Sequence, residues 1–196
     1  MTALLGRDVS NYQCNYNWAA VKNCTQFGFA KATEGLEFQD SYFQHNWYSM
    51  WWQKILRGAY HFGHPGLDPV AQAQFFYTTV AYLGFANGDA VALDLECTDG
   101  ENPGQVAKWA VAFCKELISL AKKKPFIYTN HDFINNGCCA GLYDYPLWIA
   151  AWTQPGNPGS IYPWSVWSIQ QYTSDPVDLD IFNGSVNTWQ ILTKAQ

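Results

Sequence analysis

Charge is scarce in this chain. Asp, Glu, Lys and Arg together make up 14% of the 196 residues, and 11 basic side chains face 16 acidic ones, a net charge of −5. A phosphate-binding surface needs clustered Lys and Arg, so this balance speaks against a nucleic-acid partner. The only basic run, Lys122-Lys123-Lys124, falls where a helix should end, and cations there complement the helix dipole. Long apolar runs are missing too. None approaches the roughly 20 residues of a membrane span, so no membrane association is expected. The N-terminus has no basic segment followed by an apolar one, the mark of a secretory leader. Met1 leads almost directly into the first expected strand, which leaves two routes to the cell exterior open: a leader absent from this numbering, or leaderless release. No linker or internal repeat divides the chain, so residues 1–196 read as one domain. The six cysteines fit no zinc pattern: the vicinal Cys138-Cys139 pair lacks C-x-x-C spacing, and no histidine cluster accompanies it. Cys14 and Cys24 lie close in sequence and either bridge, as suits an oxidising compartment, or stay free. Cys114 falls on a helix face as a small hydrophobe.

Aromatic residues, by contrast, are abundant: ten Trp, twelve Tyr and twelve Phe, 17% of a chain that is 48% hydrophobic. Most must fill a core. The surplus suits a sugar-binding cleft, where the C–H face of a pyranose stacks on a ring and a Tyr or Trp tip hydrogen-bonds.

Short β-rich runs alternate with helical stretches over the first two-thirds. Strands are expected at Leu4–Asp8, Gly28–Ala32, Gly58–Phe62, Ala90–Glu96, Phe126–Thr129, Leu147–Trp152, Ser165–Tyr172 and Val177–Phe182. Helices are expected at Phe38–Leu56, at Pro69–Leu83 behind the N-cap Asp68, and at Pro103–Lys123 with Val106, Ala110, Phe113, Leu117 and Leu120 at helical spacing. The alternation predicts an α/β fold, a β/α (TIM-like) barrel of about eight strands. The last 50 residues are short strands and Pro/Gly loops with no room for full helices, so the barrel should be irregular there, with fewer than eight helices.

Barrels of this kind gather their chemistry at the C-terminal strand ends. Asp8 closes the first expected strand, Tyr60 and His61 the third, Asp94 and Glu96 the fourth, and Tyr128 the fifth; Trp148 and Trp152 lie on the sixth, Gln171 ends the seventh, and Asp178 opens the last. In Leu93-Asp94-Leu95-Glu96 the two acids share one face of the strand, roughly 6.5–7 Å apart, and the leucines face the helices. Mutual repulsion then raises the proton affinity of at least one acid, leaving a proton donor beside an ionised partner, as glycoside cleavage requires. A lone D-x-E is more often a solvated strand end. Asp8 and Asp178 at other strand ends turn the reading toward a site. Four rim acids also suit Mg²⁺ or Ca²⁺, but phosphoryl chemistry would want more cations than Arg7 and Lys31. The four histidines show neither nucleophile–base nor metal spacing, and His61 and His64 read as hydrogen-bonded structure near the rim. No metal and no cofactor are expected.

These residues resemble glycoside hydrolase family 25, the Chalaropsis-type lysozymes. Eight segments match in order: Gly6-Arg7-Asp8-Val9-Ser10, Phe29-Ala30-Lys31-Ala32-Thr33-Glu34-Gly35, Gly58-Ala59-Tyr60-His61-Phe62, Leu93-Asp94-Leu95-Glu96, Ile127-Tyr128-Thr129, Leu147-Trp148-Ile149-Ala150, Gln171-Tyr172-Thr173-Ser174 and Val177-Asp178-Leu179. The resemblance implies a flattened barrel, a monomer, and hydrolysis of the β-1,4 bond between N-acetylmuramic acid and N-acetylglucosamine in peptidoglycan glycan strands. It further implies Glu96 as general acid and Asp94 as the group that holds the 2-acetamido arm. Asp8 and Asp178 would shape the field around them, and Tyr60, Tyr128 and Trp148 would line sugar subsites. Lys31, Glu34 and Gln171 fall in matching rim motifs. Two departures stand out: Gln170 where Trp is usual, which puts one subsite in question, and Asp180 where Asn is common. Rival readings are a chitinase-like hydrolase, whose D-x-x-D-x-D-x-E series is broken here at Ala92, and an idle sugar-binding module, which has no use for clustered acids.

Overall fold

The computed structural model describes residues 3–195. In chain order the elements are β1 (Leu4–Val9), a 3-10 turn (Asn11–Gln13), α1 (Trp18–Val21), β2 (Phe27–Glu34), β3 (Phe38–Gln39), α2 (Phe43–Trp52), β4 (Leu56–Phe62), α3 (Pro69–Tyr82), β5 (Ala90–Asp94), α4 (Pro103–Ala121), β6 (Phe126–Asn130), α5 (His131–Asn135), β7 (Leu147–Ala150), β8 (Ile169–Thr173), β9 (Asp178–Phe182) and α6 (Val186–Leu192). One sheet runs in the order β1-β9-β8-β7-β6-β5-β4-β2-β3, and a β1–β2 pairing closes it into an eight-stranded barrel with the two-residue β3 as an appendage. This is the irregular α/β barrel the sequence predicts. Every barrel pairing is parallel except the two made by β9, which runs antiparallel to both β8 and β1. The reversal explains the irregular end: Thr173 to Asp178 is a short return between neighbouring strands, with no crossover helix.

Helix starts follow the sequence. Asp68 and Asn102 cap α3 and α4 by accepting from the Ala71 and Gln105 amides, and each helix has Pro at its first position. The expected Phe38–Leu56 helix is shorter. Phe38 and Gln39 pair with Glu34 and Thr33 instead, and Asp40 accepts from the Asn11 and Tyr42 amides, so the helix begins at Phe43. Three short helices, α1, α5 and α6, have too few turns for a periodic signal. Of the two alternatives open for Cys14 and Cys24, the structure has the free thiols, and the other four cysteines are free as well.

Two apolar layers hold the fold. The larger packs the helices on the outside of the barrel and includes Leu93 and Leu95. The smaller fills the interior with rings: Phe27, Phe29, Phe126, Trp148, Phe182 and, from α6, Trp189, which plugs the bottom and donates from Nε1 to the Gly88 carbonyl at 2.9 Å. Phe29 lies 4.5 Å from Trp148, 5.9 Å from Phe126 and 5.9 Å from Trp189, centroid to centroid. So many rings fit only because the facing strand positions are small. A Cβ at Gly6 would fall 2.2 Å from Phe27 Cζ, and one at Gly58 2.2 Å from Phe29 Cε1.

Because the neighbouring rings leave Phe29 no room to retreat, Gly58→Ala should destabilise the protein by about 1–3 kcal/mol, the usual range for overpacking. Denaturant unfolding checks this: the midpoint should fall with an unchanged slope. An unchanged midpoint would mean the interior can yield.

Candidate active site

The C-terminal ends of the parallel strands open on a groove of about 560 Å³. Asp8, Lys31, Glu34, Tyr60, Asp94, Glu96, Tyr128, Trp148, Gln171 and Asp178, the residues singled out in the sequence, all line it. The reversed β9 explains why Asp178 joins them from the start of its strand: the N-terminal end of an antiparallel strand lies where its neighbours' C-terminal ends lie, and Asp178 sits opposite Asp8 in the register. Ser10, Tyr12, Gln13, Phe62 and Trp152 complete the lining. Tyr12 had a usable signal, since it sits in the turn immediately after β1.

Two expected positions shift. β5 ends at Asp94, so Glu96 lies two residues beyond the strand instead of closing it. The extended course continues nonetheless: the Leu95 amide donates to the Tyr128 carbonyl at 2.9 Å, and Thr129 Oγ1 donates to the Leu95 carbonyl at 2.9 Å. Leu93 and Leu95 therefore stay buried on the helix side, and both acids face the groove. Trp148 is a floor and not a wall. Only 1% of it is exposed, and its ring packs on Phe29, whereas Trp152 is 68% exposed and Tyr12 84%. The open stacking surfaces belong to these last two.

A hydrogen-bonded chain crosses the rim. Gln171 Nε2 donates to Asp8 Oδ2 at 2.9 Å, while its Oε1 accepts from Tyr128 Oη at 3.1 Å and Trp152 Nε1 at 3.3 Å. One amide thus fixes an acid, a phenol and an indole. Gln170, pointing the other way, does not line the groove. Its side chain holds the Ala151–Gly156 loop through the Ala151 and Gln154 carbonyls, Thr153 Oγ1 and the Gly156 amide, and so anchors the segment that carries Trp152. The other departure, Asp180, is fully buried below the rim, where Oδ1 accepts from Trp148 Nε1 at 2.9 Å.

Burial against the ring-filled interior sets the electrostatics. Asp94 is held well above the ordinary carboxylate range, first by burial and then by the charge of Glu96, with Lys31 opposing. Burial raises Glu96 as well, again against Lys31. Asp8 is pushed well up by burial and by Asp180 and Asp178. Asp178 rises to about 6 and Asp180 to about 8, both mainly through burial. Asp94 Oδ1 and Asp180 Oδ2 are buried without a hydrogen-bond partner. Lys31 bonds Glu34 at 2.5 Å and lies over the Phe62 ring at 4.9 Å. Although burial works the other way, Lys31 and His64 together draw Glu34 below its usual range. His61 is wholly buried between Thr33 Oγ1 and Gln72 Oε1, and burial lowers it to about 4, so its ring is a neutral structural element.

Comparison with known proteins agrees with this architecture. The chain is 33% identical over 199 residues to YegX, an uncharacterised protein of Escherichia coli (strain K12), covering 94% of this chain and 71% of that one. It is 30% identical over 207 residues to an N,O-diacetylmuramidase of Arthroderma benhamiae, covering 97% and 86%. Its fold superimposes on a family GH25 lysozyme from Aspergillus fumigatus with a TM-score of 0.88 at 29% identity, covering 98% of this chain and all of the other. The family model described as glycosyl hydrolases family 25 matches residues 7–181, and the chain belongs to that family.

Proposed function

We propose that this glycoside hydrolase is a lysozyme that cuts the β-1,4 bond between N-acetylmuramic acid and N-acetylglucosamine in peptidoglycan, with Glu96 as general acid and Asp94 as the partner of the 2-acetamido group. One observation carries the assignment of roles. The two acids stand side by side in a ring-lined groove, and the more deeply buried one, Asp94, keeps Oδ1 without a partner while Glu96 remains open to the groove. A buried carboxylate oxygen with no donor suits a substrate N–H.

The two acids repel and burial raises both, so in the free site a single proton on the pair is favoured over ionisation of both. Burial favours its residence on Asp94. When an acetamide N–H donates to Asp94, the ionised form of Asp94 is favoured and the proton is better placed on Glu96. The acetamide carbonyl oxygen then attacks the anomeric carbon as Glu96 protonates the departing glycosidic oxygen, and the sugar closes into an oxazolinium ion. Water adds to the anomeric carbon, giving its proton to Glu96, and the ring reopens. Asp8 and Asp178 shape the field and the hydrogen bonding around the pair, with Asp8 oriented by Gln171. Tyr60 and Tyr128 stay protonated, held up by burial and by the surrounding acids, and act as hydrogen-bond donors. Trp152 and Tyr12 offer stacking faces.

Residues 1–196 act as one catalytic domain in this reading, as a monomer working on glycan strands at the cell wall, without nucleic acid, membrane or cofactor. The charge balance supports part of this. Among the described residues no helix is long and apolar enough to cross a membrane.

Glu96→Gln should lower reducing-sugar release from cell walls by about 10²–10⁴-fold, the usual contribution of a general acid, while sedimentation with walls persists. Undiminished release would refute the assignment. Mass spectrometry of the digest should place the new reducing end on the muramic sugar; a reducing end on N-acetylglucosamine would sink the stated bond specificity. The rate should fall on the alkaline side as the shared proton is lost, giving an optimum below neutral; a flat profile to pH 9 would count against the acid pair. Stability should show the same sign. Asp178 and Asp180 bind protons more tightly folded than unfolded, so the stability they confer is complete below about pH 4 and is lost as pH rises through about 6 and about 8. Asp180→Asn keeps an acceptor for Trp148 and adds a donor for Asp8, so melting temperatures between pH 4 and 8 should decline less than in the parent. An equal decline in both proteins would argue against Asp180 as a proton-holding group.

A further inference from the structure

Beside the groove, a second group of donors converges on one carboxylate that the proposed reaction does not use. Asp99 Oδ1 lies 2.9 Å from His64 Nδ1 and accepts from Cys97 Sγ at 3.0 Å. Its other oxygen, Oδ2, accepts from the Gly66 amide at 3.0 Å and lies 3.2 Å from Nδ1. A nitrogen, a sulfur and a carboxylate oxygen thus stand within 4.8 Å of one another. On the far edge of the imidazole, Nε2 is 3.2 Å from Glu34 Oε1.

We propose that His64 Nδ1, Cys97 Sγ and the Asp99 carboxylate form a binding site for a thiophilic divalent cation such as Zn²⁺, with Glu34 as the outer partner of His64. Three features favour a cation over a purely structural contact. The donor set is that of zinc, which takes thiolate sulfur, imidazole nitrogen and carboxylate oxygen in combination, with three protein ligands leaving a fourth position for water. Thiolate and carboxylate together cancel the charge of a divalent ion, and neither Mg²⁺ nor Ca²⁺ seeks sulfur. The imidazole is also arranged as metal-bound imidazoles usually are, with one nitrogen toward the ligand cluster and the other toward a carboxylate that fixes the ring.

The protein holds these groups in place before any ion arrives. The Gly66 amide orients the Asp99 carboxylate, and the approach is so close that a Cβ at Gly66 would fall 3.2 Å from Asp99 Cβ. Asp99 itself adopts the left-handed region with φ +51, which turns the Cys97–Gly100 loop back toward His64. Ligand bonds of about 2.0–2.3 Å require donors somewhat further apart than the present 2.9 and 3.0 Å contacts, so the cluster opens by a few tenths of an ångström when an ion enters. Asp99 is exposed, and the ion enters from that side. On binding, the Cys97 thiol proton leaves to solvent and the sulfur takes the metal. Nδ1 exchanges its proton for the metal, and Nε2 keeps its own for Glu34. The sequence conceals the site, because His64 lies 33 residues before Cys97 and only the adjacency of β4 and β5 brings their following loops together.

The test uses the full chain and Co²⁺ as a spectroscopic stand-in for Zn²⁺. Titration should produce thiolate-to-cobalt charge-transfer absorption that saturates at one equivalent and is displaced by Zn²⁺. Cys97→Ser should lack that absorption while retaining wall hydrolysis in metal-free buffer. Glu34→Gln should bind the metal about 10–100-fold more weakly, the usual cost of removing such a partner. A second measurement needs no variant: Zn²⁺, but not Mg²⁺, should slow alkylation of Cys97 while the exposed Cys14 and Cys24 react at unchanged rates. No cobalt absorption, absorption that survives Cys97→Ser, or alkylation of Cys97 indifferent to Zn²⁺ would each overturn the site.

Discussion

The site rests on a floor that water does not penetrate. Phe29, Trp148 and the rings beneath them fill the barrel from Trp189 upward, and the carboxyls of Asp8, Asp94 and Asp180 stand on that layer with hydrocarbon at their backs. A carboxylate placed there loses much of its hydration, and this loss, more than any single neighbour, sets the proton affinity of the rim acids. A cleft of the same outline over a wet interior would hold ordinary, fully ionised acids with no proton to give. The small residues on the strands, Gly6 and Gly58 among them, are in this sense part of the chemistry, because they admit the rings that keep the floor dry.

Such an arrangement works against the stability of the fold. Groups that repel and are poorly hydrated remain together only because the surrounding structure over-determines them. Here the restraint comes from a small number of directed contacts: Gln171 on Asp8, Trp148 on Asp180, and Lys31 set between rings and bonded to Glu34. Lys31 draws both Asp94 and Glu96 back toward ionisation from its place beside the Phe38 and Phe62 rings.

Much of this was legible in the chain, for a simple reason. Alternating strand and helix specifies a parallel barrel, and in a parallel barrel the last residues of each strand share one rim; reading the polar residues at strand ends therefore assembles the groove without coordinates. The reading failed where local pattern does not carry the information. Phe38 and Gln39 look helical but pair with β2, a contact made by tertiary neighbours. The helices α5 and α6 have too few turns to show a period, yet α6 supplies the plug Trp189. Trp148 lines the groove from within β7, but its burial and its inward bond to Asp180 make it a floor, and the open ring faces come from Trp152 and Tyr12, whose exposure no strand pattern conveys. Gln170, at the position where Trp is usual, faces outward and acts on the groove only by tethering a loop.

The reversed course of β9 has a consequence of its own. Its inward positions descend from the mouth as Asp178, Asp180 and Phe182, an order that runs from a half-exposed acid to a buried acid to a buried ring. Sliding the strand two residues toward the mouth would put a benzyl group in the place of Asp180, and sliding it the other way would sink Asp180 among the phenyl rings. The polarity gradient along this one strand therefore acts as a ruler, fixing its register against β1 and β8 and, with it, the height at which each carboxyl stands in the barrel.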